Sequence, residues 1–410
     1  MSRILDLQDR FQTLASAAQY DVCAGGAPPT RTAKRERAAR FFYPSRVSGG
    51  SRVMLLKILL TNRCANDCGY CANRQERARR YCSFRPQELA SLFMDFYRQR
   101  RVSGLFLSSA IPDSPDRTMQ EMIETVEILR LKHQFKGYIH LKVLPGCSEH
   151  LAREACRLAS RASINLEVPN APRLRELSMV KDFQNDLVIR LGLLKEMEEE
   201  GLLPDGHTTQ FVVGAAGESD AEILATVRDL YETKGLRRAY FSAFNPISGT
   251  PLEGIPAENP WRQHRLYQAD FLSRFYGFDL AEIPLDEKGR LALDSDPKMA
   301  WAAAHPEFFP LEINRAEREE LLRVPGVGVV GVERILRARR EANLNSLDQL
   351  KKLKVITGRA APFLLLNGRQ TVPVVKRRAT GHTQVKLQQL SLWDEMAQDG
   401  TEHPLAGAAG

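Results

Sequence analysis

The chain has no long apolar run. Its apolar stretches, such as FLLL at residues 363–366, fall far short of the roughly 20 residues that a membrane-spanning helix needs. No secretory leader is expected either. The N-terminus, MSRILDLQDRFQTLASAAQYD, is amphipathic and carries acids, without the unbroken apolar core and cleavage site of a signal peptide. A cytoplasmic location and no membrane partner are therefore expected. Thiols stay reduced there, so the seven cysteines read as metal ligands or chemistry before disulfides. A further absence concerns those cysteines. Cys64, Cys68 and Cys71 crowd into RCANDCGYCANR, residues 63–74, and no second close pair follows.

What is present is a composition typical of soluble globular proteins, 43% apolar and 26% charged over 410 residues. That length exceeds one ordinary core, so two or three domains are expected. The net charge of +8 is uneven. Residues 311–382 hold 15 Lys+Arg against 7 Asp+Glu, and residues 1–50 hold 8 against 4. Basic ends on a near-neutral middle suggest a polyanionic partner, or else a solvated basic surface.

From Arg52 onward, short apolar runs alternate with amphipathic helical stretches. VMLLKILLT, GLFLSS, YIHLKVLP, SINLEVP, TTQFVVG and RAYFSAF read as strands, and a helical pattern follows each of the first five. Such alternation implies a parallel sheet with helices outside. Six units are too few for a closed eight-fold barrel, so residues 51–250 are expected to form an open, partial (β/α)6 barrel. Residues 1–50 read as a basic extension, helical and then loop-like. Residues 251–310 read as a mixed helical connector, 311–372 as a compact all-α basic module, and 373–410 as a mobile tail.

The cysteines follow C-x3-C-x2-C directly after the first strand. In a parallel barrel that is the C-terminal rim, where active sites are built. Closely spaced thiolates suit zinc or an iron–sulfur cluster. Zinc would need a distant fourth ligand, such as Cys82, His140 or Cys147, and its sites usually combine two pairs. A four-iron cluster with three protein ligands instead leaves one iron open for a substrate or cofactor. The other cysteines, Cys23, Cys82, Cys147 and Cys156, are too dispersed for a second cluster and read as ordinary semi-buried residues.

This motif, after strand one of a six-unit β/α chain, resembles that of the radical S-adenosylmethionine (SAM) superfamily. The resemblance implies a 4Fe-4S cluster held by Cys64, Cys68 and Cys71, and SAM bound at the open iron. It further implies a reducing electron donor and a 5′-deoxyadenosyl radical that takes a hydrogen atom from substrate. The aromatic Tyr70 before the third cysteine fits the pattern. Ser108 and Ser109, in LFLSSAIPD, stand where the superfamily often has an acid for the SAM amino group. Asn165 and Glu167 fall on one face of the fourth strand by its two-residue period, as SAM contacts or as a buried polar pair bridging strands. Val213, Gly214 and Gly217 resemble the adenine-contacting stretch, and the same residues also suit a strand-to-helix turn capped by Ser219.

A second informative stretch is LLRVPGVGVVGVERILRARR, residues 321–340. A tight turn at Pro325–Gly328 separates two apolar-periodic segments whose inner face is Leu321, Val324, Val332 and Ile335. Its glycines permit a sharp turn and close approach. This resembles the helix-hairpin-helix motif, which binds DNA backbone phosphates without reading sequence. NSLDQLKKLKVITGRAAPFLL resembles a second copy lacking the hairpin glycines. Gly326, Gly328, Arg337, Arg340, Lys351 and Lys352 are the expected nucleic-acid contacts, with Arg339 and Lys354 beside them. A helical protein–protein module is the alternative. In the tail, Gln389, Leu390, Leu392 and Trp393 resemble the peptide that docks replication and repair proteins on the DNA sliding clamp.

Order, motifs and length together resemble bacterial radical SAM proteins associated with DNA modification or repair, which tend to be encoded beside a protein similar to uracil-DNA glycosylases. The expectation is a radical SAM enzyme acting on DNA. The alternatives are an enzyme acting on RNA and a non-catalytic DNA-binding protein with a redox-sensing cluster.

Overall fold

The computed structural model describes residues 7–21, 41–46, 52–75, 77 and 80–370. The tail residues Gln389, Leu390, Leu392 and Trp393, and Cys23, lie outside them. The chain divides into two compact units, Met1–Gln263 and His264–Gly410. The division falls within the 251–310 segment expected as a connector.

In the first unit, helix α1 (Leu7–Ala17) precedes a sheet of seven strands in sequential order. They are β1 (Phe42–Arg46), β2 (Arg52–Leu59), β3 (Gly104–Ser108), β4 (Tyr138–Lys142), β5 (Arg161–Ser163), β6 (His207–Val213) and β7 (Arg238–Ala243). β2 to β7 run parallel, as expected, and make an open half-barrel sheet. β1 was not expected. It pairs antiparallel with β2, from Phe42 opposite Leu56 to Arg46 opposite Arg52. Phe42 and Tyr43 suit a strand, and Pro44 is tolerated because β1 is an edge.

Helices α2 (Pro86–Arg98), α3 (Pro115–Glu127), α4 (Glu149–Leu158), α5 (Ala171–Arg175), α6 (Ile189–Glu199) and α7 (Asp220–Lys234) fill the connections between parallel strands. Strand alternation separates two faces. Ile58, Leu105, Leu107, Ile139, Leu141, Phe211 and Phe241 bury one side. The other side carries Lys57, His140, Ser163 and Gln210, all buried, and Lys142. The end of the N-terminal segment settles on this polar face. Lys57 Nζ donates to the carbonyls of Gln19 (3.5 Å) and Asp21 (2.5 Å), Gln210 Nε2 donates to the Tyr20 carbonyl at 3.0 Å, and Lys142 pairs with the Asp21 carboxylate. His140 Nε2 meets Ser163 Oγ at 2.8 Å. Burial, with the charges of Arg161 and Lys142, holds His140 well below its usual pKa and hence neutral.

α1 is fastened to α2 by Arg10, whose guanidinium meets both Glu88 oxygens at 2.8 and 3.0 Å. Glu88 also accepts from the Arg85 N–H at the start of α2, a capping-box contact.

The second unit begins within α8 (Pro260–Tyr276) and continues through α9 (Pro297–Ala304) and β8 (Leu311–Glu312). Then come α10 (Arg318–Arg323), α11 (Val329–Glu341), α12 (Leu347–Lys352), α13 (Thr357–Ala360), β9 (Leu364–Leu366) and β10 (Arg369–Gln370). It is not all-α. β8, β9 and β10 form a small sheet in the order β10-β9-β8, because the apolar LLL of β9 is drawn into the core, with Leu364 fully buried. α10 and α11 are joined by a turn at 324–328. Leu321, Val324, Val332 and Ile335 are all fully buried, as the apolar period predicts. The turn is held through its carbonyls: Lys298 Nζ donates to Val327 O at 2.6 Å and Ile356 N–H to Gly326 O at 2.9 Å.

Two predictions follow from these contacts. The Arg10 hydrogen bond pulls the Glu88 pKa from 4.5 down to about 2, so the folded state holds this proton less tightly than the unfolded chain. The stability it adds is fully present above about 4.5 and is lost as pH falls toward about 2. The stability gap between wild type and Glu88→Gln, from denaturant titrations, should be constant above that window and close within it. Gly326 has φ of +83°, and a Cβ there would stand 2.7 Å from the Ile356 carbonyl oxygen. Gly326→Ala should destabilise the second unit by about 1–3 kcal/mol in thermal or denaturant unfolding.

Candidate active site

β2 delivers the chain to the C-terminal rim of the sheet, and the cysteine loop spreads across that rim. Backbone bonds pin it at many points. Ala65 N–H donates to Ile111 O beyond β3 (2.7 Å), and Gly69 N–H to Leu177 O beyond α5 (2.7 Å). Leu252 N–H, beyond β7, donates to Gly69 O at 3.4 Å. Arg77 Nε reaches Ser248 O at 2.9 Å. Asn62 closes the loop's base, accepting from Cys82 N–H (2.9 Å) and donating to Arg80 O (3.0 Å). Asp67 fixes its centre by accepting from Ser178 Oγ at 2.5 Å and Met179 N–H at 2.9 Å.

Cys68 is buried; Cys64 and Cys71 are partly exposed. The thiols are near enough that the Cys64 charge raises Cys68, and the Cys68 and Cys64 charges raise Cys71. Burial, then the Cys68 charge, pushes Cys71 up to about 12. Burial also raises Cys68, against the charge of Lys181. Asn73 N–H donates to Cys71 Sγ at 3.3 Å. Lys181 Nζ lies 3.8 Å from Glu167 Oε1, both side chains 8% exposed. The Tyr70 hydroxyl has its pKa raised by burial first and by the Glu167 charge next.

The cysteine motif, Tyr70 and Glu167 thus converge. Glu167 arrives by another route than strand alternation. β5 ends at Ser163, and Glu167 has φ of +67°, which breaks the two-residue period. Its backbone still bridges to β6, through Glu167 N–H to Gln210 O (2.9 Å) and Val212 N–H to Glu167 O (2.7 Å). Asn165 is buried on the same segment. Ser108 is buried, and its carbonyl accepts from Leu60 N–H at 2.9 Å. The Ser109 hydroxyl donates to the Ala110 carbonyl at 2.7 Å. Val213 ends β6, fully buried. Gly214 and Gly217 have φ of +92° and +67°, and a Cβ on Gly214 would meet Glu258 Oε2 at 2.4 Å. Glu218 closes this turn by accepting from the N–H groups of Gly214 and Ala216, and Ser219 caps α7 with a capping box. Arg262, 2% exposed, locks it from behind through Asp220 (2.7 Å), Glu258 (2.5 Å) and the Glu218 carbonyl (2.8 Å). In the second unit, Arg337, Arg340, Lys351 and Lys352 are exposed, whereas Arg339 is spent on the carbonyls of Ile313 (3.2 Å) and Ala316 (2.6 Å). Lys181 had no sequence signal, since only the fold brings it to the cysteines; Asn62 and Asp67 sit beside and inside the motif, but the bonds they make across the loop leave no sequence pattern.

Residues 58–230 match the family model for the radical SAM superfamily. That segment is similar to a radical SAM domain. No curated protein matches it. Among solved structures, the FeFe-hydrogenase maturase HydG from Carboxydothermus hydrogenoformans is 15% identical, with 52% of this chain and 50% of that chain covered at a TM-score of 0.42. Methylornithine synthase PylB is 15% identical, covering 51% and 59% at 0.42, and SuiB from Streptococcus suis is 15% identical, covering 62% and 51% at 0.38. The chain thus spans about half the length of the structures it matches.

Radical SAM proteins use a 4Fe-4S cluster and SAM. The residues present fit the cluster. Among the described residues no three His, Cys, Asp or Glu side chains converge as one metal ion would require. A single zinc ion needs that convergence. In a four-iron cluster each cysteine takes a different iron, so three neighbouring but separated thiols suit it, and the Asn73 N–H is already aimed at one sulfur. Cys64→Ala, Cys68→Ala and Cys71→Ala should each abolish retention of a four-iron cluster after anaerobic reconstitution, read as iron and sulfide content and visible absorption.

Proposed function

We propose that this protein is a radical SAM enzyme that acts on DNA. The observation that carries the first part is the three-thiol loop pinned across the rim of the half-barrel. Cys64, Cys68 and Cys71 hold the cluster, which when bound supplies the electron that cleaves SAM to a 5′-deoxyadenosyl radical. The protein's own part is placement. Asn62, Asp67 and Arg77 fix the loop, and the Gly214–Glu218 turn, backed by Arg262, shapes the rim opposite. Holding reactants in one geometry is the main lever a protein has over such chemistry.

DNA as the substrate is supported by the second unit. The helix pair α10 and α11, with its Gly326 and Gly328 turn, resembles the helix-hairpin-helix that grips phosphates, and Arg337, Arg340, Lys351 and Lys352 are exposed around it. Such contacts are electrostatic and sequence-independent. The reading also calls for a reducing electron donor. Docking on the sliding clamp through Leu392 and Trp393, and cooperation with a uracil-DNA-glycosylase-like protein, extend the same proposal.

The test is an anaerobic assay for 5′-deoxyadenosine with the reconstituted, dithionite-reduced protein, with and without DNA. Formation should rise with DNA and vanish in Cys64→Ala. The double variant Arg337→Ala/Arg340→Ala should weaken DNA binding alike for all sequences and flatten its salt dependence by about 0.9 log units per lost phosphate contact. Stimulation by RNA in place of DNA at equal salt would move the substrate to RNA. No cleavage from a verified, reduced cluster would leave a sensor.

A further inference from the structure

Lys181 follows α5 in a loop that no motif marks, yet its side chain is buried among the ligand residues. Its Nζ lies 3.8 Å from Glu167 Oε1, near enough to Cys68 for its charge to act on that thiol. The Glu167 charge also reaches Tyr70, so Tyr70, Glu167, Lys181 and Cys68 make one electrostatic cluster. A brace sets this position. Lys181 N–H donates to Ser178 Oγ at 3.3 Å, and the same hydroxyl donates to Asp67 at 2.5 Å. Asp67 directly precedes Cys68. Lys181 and Cys68 therefore share one tether and cannot drift apart independently.

Burying an ammonium group costs several kcal/mol unless it is compensated. A lysine serving only as a loop clasp would be better placed at the surface. Here the charge sits beside a sulfur that ligates the redox group.

We propose that Lys181 sets the reduction potential of the cluster, acting through the Cys68 sulfur, with Glu167 as the opposing charge; this rests on reading Cys64, Cys68 and Cys71 as cluster ligands. Reduction adds one negative charge to the cluster. A fixed cation beside it stabilises the reduced form and raises the potential, and a fixed carboxylate lowers it. Lys181 and Glu167 thus pull oppositely, and their balance decides how strong a reductant the protein requires.

The experiment is a redox titration of the reconstituted full chain without SAM, followed by electron paramagnetic resonance, for wild type, Lys181→Gln, Lys181→Arg and Glu167→Gln. Iron and sulfide are measured on each sample. Lys181→Gln should shift the potential down, Glu167→Gln should shift it up, and Lys181→Arg should stay near wild type. A wild-type protein that retains no four-iron cluster would overturn the ligand reading itself. Loaded Lys181→Gln and Glu167→Gln that both titrate with wild type would overturn the proposal and leave the ligand reading standing. Should Lys181→Gln fail to load, Glu167→Gln decides: an upward shift supports the proposal, and an unchanged potential ends it.

Discussion

Three thiols are too few to organise themselves. A metal site closed by four protein ligands can help fold its own loop, but a site left open must have its loop fixed by something else. Here that task falls to backbone hydrogen bonds. Ala65, Gly69 and Asn62 tie the loop to segments that follow β3, α5 and the loop's own far end, and Arg77 ties it to the segment after β7. Every strand end that contributes an anchor thereby also helps define where the sulfurs stand. The rest of the first unit can be understood as the frame that holds those anchor points at fixed separations.

The frame has its own electrostatic cost. One face of the sheet is mostly apolar, as a parallel sheet covered by helices requires, with His207 and Thr209 of β6 buried in it. The other carries lysines, a histidine and a glutamine that an ordinary core would exclude. Their compensation comes from carbonyls and one carboxylate of the N-terminal segment, and from a serine on the neighbouring strand. At the opposite end of β6, Arg262 is surrounded by Glu218, Asp220 and Glu258 and holds a turn that glycines alone would leave loose. Most of the polar groups buried at both places meet a partner of matching chemistry, Thr208 Oγ1 being an exception.

Much of this was legible in the sequence. Period-two apolar runs between helical stretches located β2 to β7, and the C-x3-C-x2-C spacing located the thiols. The apolar period also identified the inner face of the α10–α11 pair. What escaped was set by tertiary context. β1 is five residues containing a proline, and only its place at a sheet edge makes it a strand. β8 and β10 are two residues each and carry no periodicity at all. Glu167 was placed near the site for a reason that its left-handed backbone contradicts. Lys181 lies 110 positions beyond Cys71 in the chain and was invisible until the fold closed.

The clamp on Asp21 bears on where this domain begins. The recognisable family segment starts at residue 58 and stops at 230. Asp21, β1 and Lys57 all precede it, and β7 follows it. A fragment cut at those limits would keep Lys142, 14% exposed, and discard the carboxylate that neutralises it. It would also strip both flanks of the sheet, leaving β6 as a raw edge open to pairing with other chains. The evolutionary signature and the autonomous folding unit are therefore different lengths of polypeptide, and the shorter is not a viable excerpt of the longer.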